Sequence, residues 1–330
     1  MRSRRTIAAV AGAAVVFAGL AATRLQPAAA RSTAGTLTLV AYSTPREAYG
    51  KLIPAFQETK AGRGVGFEQS YGGSGEQARA VLEGLKADVV ALSLEPDVTT
   101  LVKAKAVPAA WNRDKWHGMV TRSVVVLAVR KGNPKKIKDW GDLVKPGVQV
   151  VTPNPFTSGG ARWNVMAAYG AQLRKGKTHA QAVAYLRTLF RHVVSLDTSA
   201  RESLQTFMAG RGDVLLAYEN EAIFARQKGQ PLDFVIPKAT IRIENPIAVT
   251  TRGKSKAAAT AFLKFLRTPA GQRIFAQNGY RPVLRTALKG FSFPVRPQQF
   301  TIKYVGGWTK VEKRFFDPRK GIMVPIVAKR

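Results

Sequence analysis

The sequence predicts an α/β protein of two lobes, each a mainly parallel sheet flanked by helices. Short β-branched runs alternate with helical patterns along the chain from about residue 37, the mark of strands joined by helical crossovers. At 330 residues the chain also exceeds the usual size of one compact domain, and it carries no internal repeat.

The strand candidates are 37–42 (LTLVAY), 65–71, 87–94, 124–129, 148–153, 213–218 and 247–251. Helical patterns lie between them, among them 45–59 (PREAYGKLIPAFQET), 75–85, 161–176 and 257–267. Four strand ends run into turns rich in Ser, Thr and Gly that open helices. In STPRE, Thr44 is expected to cap, with Pro45 in the first turn and Glu47 completing a capping box. In GGSGEQ the expected cap is Ser74, and in TSARES Ser199 and Glu202 have capping-box spacing. The fourth turn is NPFTSGGAR, with Ser158, Gly159 and Gly160 at a helix mouth. Ligands of open α/β sheets bind beyond the carboxyl ends of strands, so one site built from several loops is expected. A helix start presents unpaired N–H groups and a partial positive charge, which suits an anion.

Charge points the same way. The chain has 52 Lys+Arg against 20 Asp+Glu, a net +32, and such a field draws oxyanions, anionic lipid and nucleic acid alike. Residues 1–30 read as a secretory signal peptide: Arg2, Arg4 and Arg5, an apolar run, then Ala28-Ala29-Ala30. Its removal takes four arginines and no acid, lowering the charge from +32 to +28. Without cysteine there are no disulfides, thiolate chemistry or lipid-modified cysteine. The three histidines, His117, His179 and His192, have no ligand-like spacing, so neither metal nor cofactor is expected. Export without a lipid anchor fits a periplasmic location.

Three near-motifs fail on inspection. GGSGEQ has Glu76 where a nucleophile elbow needs glycine. AQLRKGKT lacks the first glycine of a phosphate-binding loop and continues a helix. GRGD, at 210–213, reads as a turn before a strand. No hydrolytic or nucleotide-binding constellation results, and no enzyme is expected.

Five segments carry more than a class: YGGSGEQA (71–78), VRKGNPKKIKDWGDLVKPGVQVVTPNPFTSGGARWN (129–164), LDTSARES (196–203), GDVLLAYENEA (212–222) and YRP (280–282). Together they resemble the periplasmic sulfate/thiosulfate-binding proteins of ABC importers, over about 37–308. The resemblance implies a two-lobed, type II-like periplasmic binding protein fold that closes over its anion. It implies lobe 1 at 36–122 plus 247–330 and lobe 2 at 123–246, with hinge crossings near Arg122 and Pro246. It implies sulfate contacts at Ser43, Ser74, Ser158, Gly159, Gly160, Ala200 and Tyr218. Tyr218 stands where the family usually has tryptophan, and Ser43 where it usually has aspartate. Arg162 and Arg201 would tune the field from behind the site. The implied partners are sulfate or thiosulfate and a membrane permease, with the protein acting as a monomer and no nucleic acid involved.

The chemistry stands beside the resemblance. Sulfate is fully deprotonated at neutral pH, so its oxygens need only donors, which amides and hydroxyls supply. Phosphate keeps a proton that an all-donor site leaves unpaired, at a cost of roughly 1–3 kcal/mol. Glu76, Asp197, Glu202 and Glu219 lie near the motifs and are read as structural, and Trp163, Phe207 and Phe224 as core. The competing readings are a binder of molybdate or phosphate and, from another class, an exported polyanion- or nucleic-acid-binding protein.

Overall fold

The computed structural model describes residues 35–329, so the expected signal peptide at 1–30 lies outside the described residues. The chain opens with β1 (Thr36–Tyr42), α1 (Arg46–Gln57), β2 (Gly66–Gly72), α2 (Ser74–Leu82), β3 (Val89–Ala91) and α3 (Glu95–Lys103). The long β4 (Met119–Arg130) leads to β5 (Val150–Pro153), α4 (Gly159–Arg174), α5 (His179–Arg191), β6 (Val193–Asp197) and α6 (Ala200–Met208). Then come β7 (Val214–Tyr218), α7 (Glu219–Gln227), β8 (Leu232–Val235), β9 (Arg242–Val249), α8 (Lys256–Leu266), α9 (Pro269–Gln277) and β10 (Arg281–Pro282). Two further helices, α10 (Trp308–Val311) and α11 (Met323–Ala328), end the chain.

The strands run in the order β2-β1-β3-β9-β4-β7-β5-β6, with β8 and β10 also pairing β4. Each half has a parallel nucleus, β2-β1-β3 in one and β7-β5-β6 in the other. The strands that join the halves are antiparallel to their neighbours, so the arrangement is mixed rather than uniformly parallel. Two strands run through both halves. β4 pairs with β9 from Met119 to Val124 and with β7 from Val125 to Val129. β9 pairs with β4 and then, from Ile247, with β3.

Alternation along the strands explains why their sequences are apolar throughout. In β1, Leu37, Leu39 and Ala41 join one buried cluster with Leu52, Phe56 and Phe262, while Val40 joins another with Val90, Val98 and Leu101. β4 divides in the same way, Val125, Leu127 and Val129 to one face and Val124, Val126 and Ala128 to the other. α4 is buried nearly all round, which its Ala- and Gly-rich sequence permits.

One expectation needs correction. Residues 247–330 were assigned to the first lobe, yet from Phe300 the chain packs on the second half. Phe300, Trp308, Phe315, Met323 and Ile326 share a hydrophobic cluster with Tyr169 and Leu186. Trp308 meets Trp163 edge-on at 4.7 Å, and Phe315 meets Tyr169 at 4.8 Å. The apolar faces of α4 and α5 need a cover, and this terminal segment supplies it.

Among the described residues, no helix is long and apolar enough to cross a membrane. None of their His, Asp and Glu side chains gather in a group that could hold a metal ion.

Candidate functional site

Four helix starts follow the carboxyl ends of parallel strands: α1 after β1, α2 after β2, α4 after β5 and α6 after β6. They converge on a void of about 160 Å³. That is well below the roughly 300–1,000 Å³ of clefts taking drug-sized ligands. The first half contributes Tyr42, Ser43, Gly72, Gly73, Ser74 and Ser93, and the second half Ser158, Gly160, Ala200 and Tyr218. The lining holds neither a carboxylate nor a cationic side chain.

The first-turn N–H groups of Ser74, Gly160 and Ala200 make no backbone hydrogen bond among the described residues, so amides without intrahelical acceptors face the void. Ser158 occupies the N-cap of α4, yet its hydroxyl makes no capping bond. Gly160 is glycine for a spatial reason. A Cβ there would stand 3.3 Å from the Ala200 Cβ and 3.4 Å from the Ser158 Oγ, inside the site. Gly159 serves differently: its Cβ would come within 2.7 Å of the Ser93 Oγ and Leu94, so it allows α4 to approach the turn after β3 and does not itself line the void.

The caps depart from expectation in two places. The N-cap of α1 is Pro45, with no side-chain capping bond. Thr44 instead pairs its hydroxyl with that of Tyr280 at 2.9 Å, and Glu47 receives Arg201. Ser74 is the first residue of α2 rather than its cap, and Gly73 holds the cap position. The Ser74 hydroxyl donates to Asp97 Oδ2 at 2.5 Å and accepts the Ser93 N–H at 2.9 Å. Its proton is thus committed to Asp97. For Ser74 and Glu47 the tertiary partner is a charged group, whose bond is stronger than a local cap. Ser199 does cap α6, accepting the Glu202 N–H.

Neither arginine lines the void. Arg162 donates to the Pro155 carbonyl at 2.9 Å and to Glu312 at 2.8 Å, and lies 3.9 Å from Asp97. Arg201 pairs with Glu221 at 2.9 Å within its own half and reaches across to Glu47 at 2.5 Å and the Thr44 carbonyl at 3.2 Å. Burial works to lower its pKa, but Glu221 and Glu47 raise it above the ordinary arginine value. Burial pushes the Asp97 and Glu221 carboxyls up, against the pull of Arg162 and Arg201 respectively. Burial likewise holds the Tyr218 phenol well above its usual value, so it stays protonated.

The four nearby acids all have protein partners. Glu219 is paired with Arg281 at 2.6 Å, and Asp197 accepts the Ser203 and Thr206 hydroxyls at 2.8 and 2.7 Å. Glu202 accepts from Ser199, and Glu76 from the Gly73 N–H. Phe207 is fully buried and Phe224 packs at the margin of the same cluster. Trp163 is core, as read, but its indole also donates to the Ser93 carbonyl at 3.0 Å.

Ser93 and its neighbour Asp97 escaped the sequence reading. The signal was present in ALSLEPD, another strand end running into a helix with a proline at its start. No glycine or threonine marks that turn, and it went unread.

The model of the bacterial extracellular solute-binding protein family matches residues 37–281. The sulfate-binding protein of Synechococcus elongatus is 45% identical over 291 residues, covering 85% of this chain and 83% of that one. The thiosulfate-binding protein of Pseudomonas aeruginosa is 38% identical over 314 residues, covering 91% of this chain and 94% of its own. This chain is a sulfate/thiosulfate-family member of the bacterial extracellular solute-binding proteins. The structure of the sulfate-binding protein SubI from Mycobacterium tuberculosis superposes with a TM-score of 0.83 at 43% identity, covering 86% of this chain and all of that one. The α/β binding-protein fold expected from the sequence is the fold that this superposition supports.

Proposed function

We propose that the protein captures a tetrahedral oxyanion, sulfate or thiosulfate, between its two halves and delivers it to the membrane permease of an ABC importer without chemical change. One observation carries the reading: amide donors from both halves converge on a small void whose lining is uncharged. Backbone N–H groups at helix starts neutralise a dianion without a buried counter-ion. Each such bond contributes about 1.5–3 kcal/mol net, so five to seven exceed the ~8 kcal/mol of micromolar binding and leave a margin for closure.

The contacts assigned are the amides of Ser43, Ser74, Gly160 and Ala200 and the hydroxyls of Ser158 and Tyr218. Gly159, Arg162 and Arg201 shape the site from behind. Residues 36–122 and 247–299 form one lobe, and 123–246 with the terminal segment form the other. β4 and β9, which run through both halves, act as the hinge. The protein is exported by its signal peptide to the periplasm and works as a monomer, with neither cofactor nor nucleic acid.

Calorimetric titration with sulfate, thiosulfate, molybdate, phosphate and a short DNA tests this. Sulfate or thiosulfate is expected to bind most tightly, at micromolar dissociation constants or below. DNA binding more tightly than every small anion would transfer the protein to the polyanion-binding class.

A further inference from the structure

A second recess lies at the far end of the first half. Strands β1 and β2 run side by side from Thr36 and Gly66 to Tyr42 and Gly72, where the void begins. The seven residues of β1 rise about 20 Å, and at their starting end is a cavity of about 340 Å³. Its apolar wall is Val81, Leu85, Ala87 and Ala106. Leu85 is 38% exposed there, and Leu82, one turn back at the end of α2, is 36% exposed. Few large apolar side chains among the described residues are so open.

Cations surround this apolar pair. Lys86, Arg252 and Lys254 line the cavity, and Lys103, Lys105 and Lys256 are exposed on the adjoining segments. Among the described residues none of these cations is in an ion pair. The acids here are fewer. Asp88 is buried and accepts the Thr38 and Ser255 amides at 2.8 and 2.9 Å. Glu68 accepts the Thr38 hydroxyl, and Glu83 is exposed beside Leu82. Residues 1–34 join the described chain at this same end, where the Ser255 hydroxyl donates to the Thr36 carbonyl at 3.0 Å.

An apolar pair among cations complements a bilayer surface that carries anionic lipid. Leucines enter the headgroup boundary, while lysine and arginine stems lie along apolar surface and carry their charges to the lipid phosphates. A free anion would satisfy the cations and leave the leucines in water. We propose that this end of the first half is a membrane-contact face, with Leu82 and Leu85 as the inserted residues and Lys86, Arg252 and Lys254 as the phosphate contacts. It would hold an exported chain that has no cysteine for lipid attachment at the bilayer that contains its permease. The proposal depends on export and not on which anion the void takes.

Co-sedimentation of residues 31–330 with lipid vesicles tests it. The protein is expected to bind vesicles of phosphatidylcholine mixed with phosphatidylglycerol, to ignore pure phosphatidylcholine, and to be released by 0.5 M sodium chloride. The pair Leu82→Ser and Leu85→Ser, which leaves the charge unaltered, should weaken vesicle binding about tenfold or more. Lys86→Gln, Arg252→Gln and Lys254→Gln together should do the same. Lys177→Gln, Arg187→Gln and Lys228→Gln remove equal charge from exposed positions of the second half and should change binding less than about twofold. Thermal melts and sulfate titration in solution check that each variant folds and keeps its void. Vesicle binding that survives loss of both leucines, or that falls equally in the second-half control, would assign attraction to net charge and overturn the proposal. So would displacement of the protein by millimolar inorganic phosphate at constant ionic strength, or a wild type that binds no anionic vesicle. A protein that binds vesicles as expected but no sulfate or thiosulfate would overturn the oxyanion reading and leave this face standing.

Discussion

Gly160 sits where the chemistry of the site is most sensitive to a single side chain. Its hydrogen leaves the void open between Ala200 and Ser158, and its amide belongs to the first turn of α4. Gly160→Asp would set a carboxylate among donors meant for an anion while stabilising the same helix start through the dipole. Sulfate binding should vanish by calorimetry while the melting temperature moves by only a few degrees; unchanged affinity would remove this loop from the site. Gly159, its neighbour, answers to packing instead. The two glycines look equivalent in the sequence and differ entirely in what lies beyond their Cα atoms.

Helices α1, α6 and α7 are tied together by one arginine. Arg201 on α6 holds the fully buried Glu221 on α7 and crosses to Glu47 on α1. Replacing it by methionine strands Glu221, and removing one partner from a buried pair costs about 3–5 kcal/mol. The pH dependence has a definite sign. Burial already raises the Glu221 carboxyl, and without Arg201 it rises further, so the folded variant takes up a proton more readily than its unfolded chain. A carboxyl with a raised folded pKa favours the fold below its unfolded value, near 4.3, and that stability is lost as pH rises through the folded value. Urea melts of Arg201→Met should therefore show a smaller deficit against wild type at pH 5 than at pH 7. A deficit that does not change with pH would mean Glu221 is not the group left exposed to the loss.

For the molecule as a whole, the charge matters through its field. A net charge of +32 on the full chain creates a potential that gathers anions before contact, although the lining of the void carries no charge. Steering of this kind is screened beyond about 10 Å at 0.1 M salt. The association rate for sulfate, followed by tryptophan fluorescence in stopped flow, should fall several-fold between 10 mM and 500 mM sodium chloride, with the dissociation rate much less affected. Trp163 suits the readout because its indole bonds to Ser93 beneath the site. Equal association rates at both salt concentrations would separate the charge from anion capture.

Legibility followed the range of the interactions. Strand and helix positions were readable because periodicity is local, and Ser158-Gly159-Gly160 because a helix mouth announces itself in consecutive residues. Thr44, Ser74 and Glu47 were read as caps because sequence offers only their nearest neighbours as partners; the fold offered Tyr280, Asp97 and Arg201 instead. Ser93 meets Tyr218 across 125 residues, and no local pattern encodes such a meeting. The terminal segment is likewise apolar in sequence without stating which half it covers. By itself, then, the sequence determined the alternation of strands and helices, the anion-suited helix mouths and the family. Which hydroxyls line the void, which are bound to carboxylates, and where the last thirty or so residues pack were decided only by tertiary structure, because those outcomes depend on competition between partners brought close by folding.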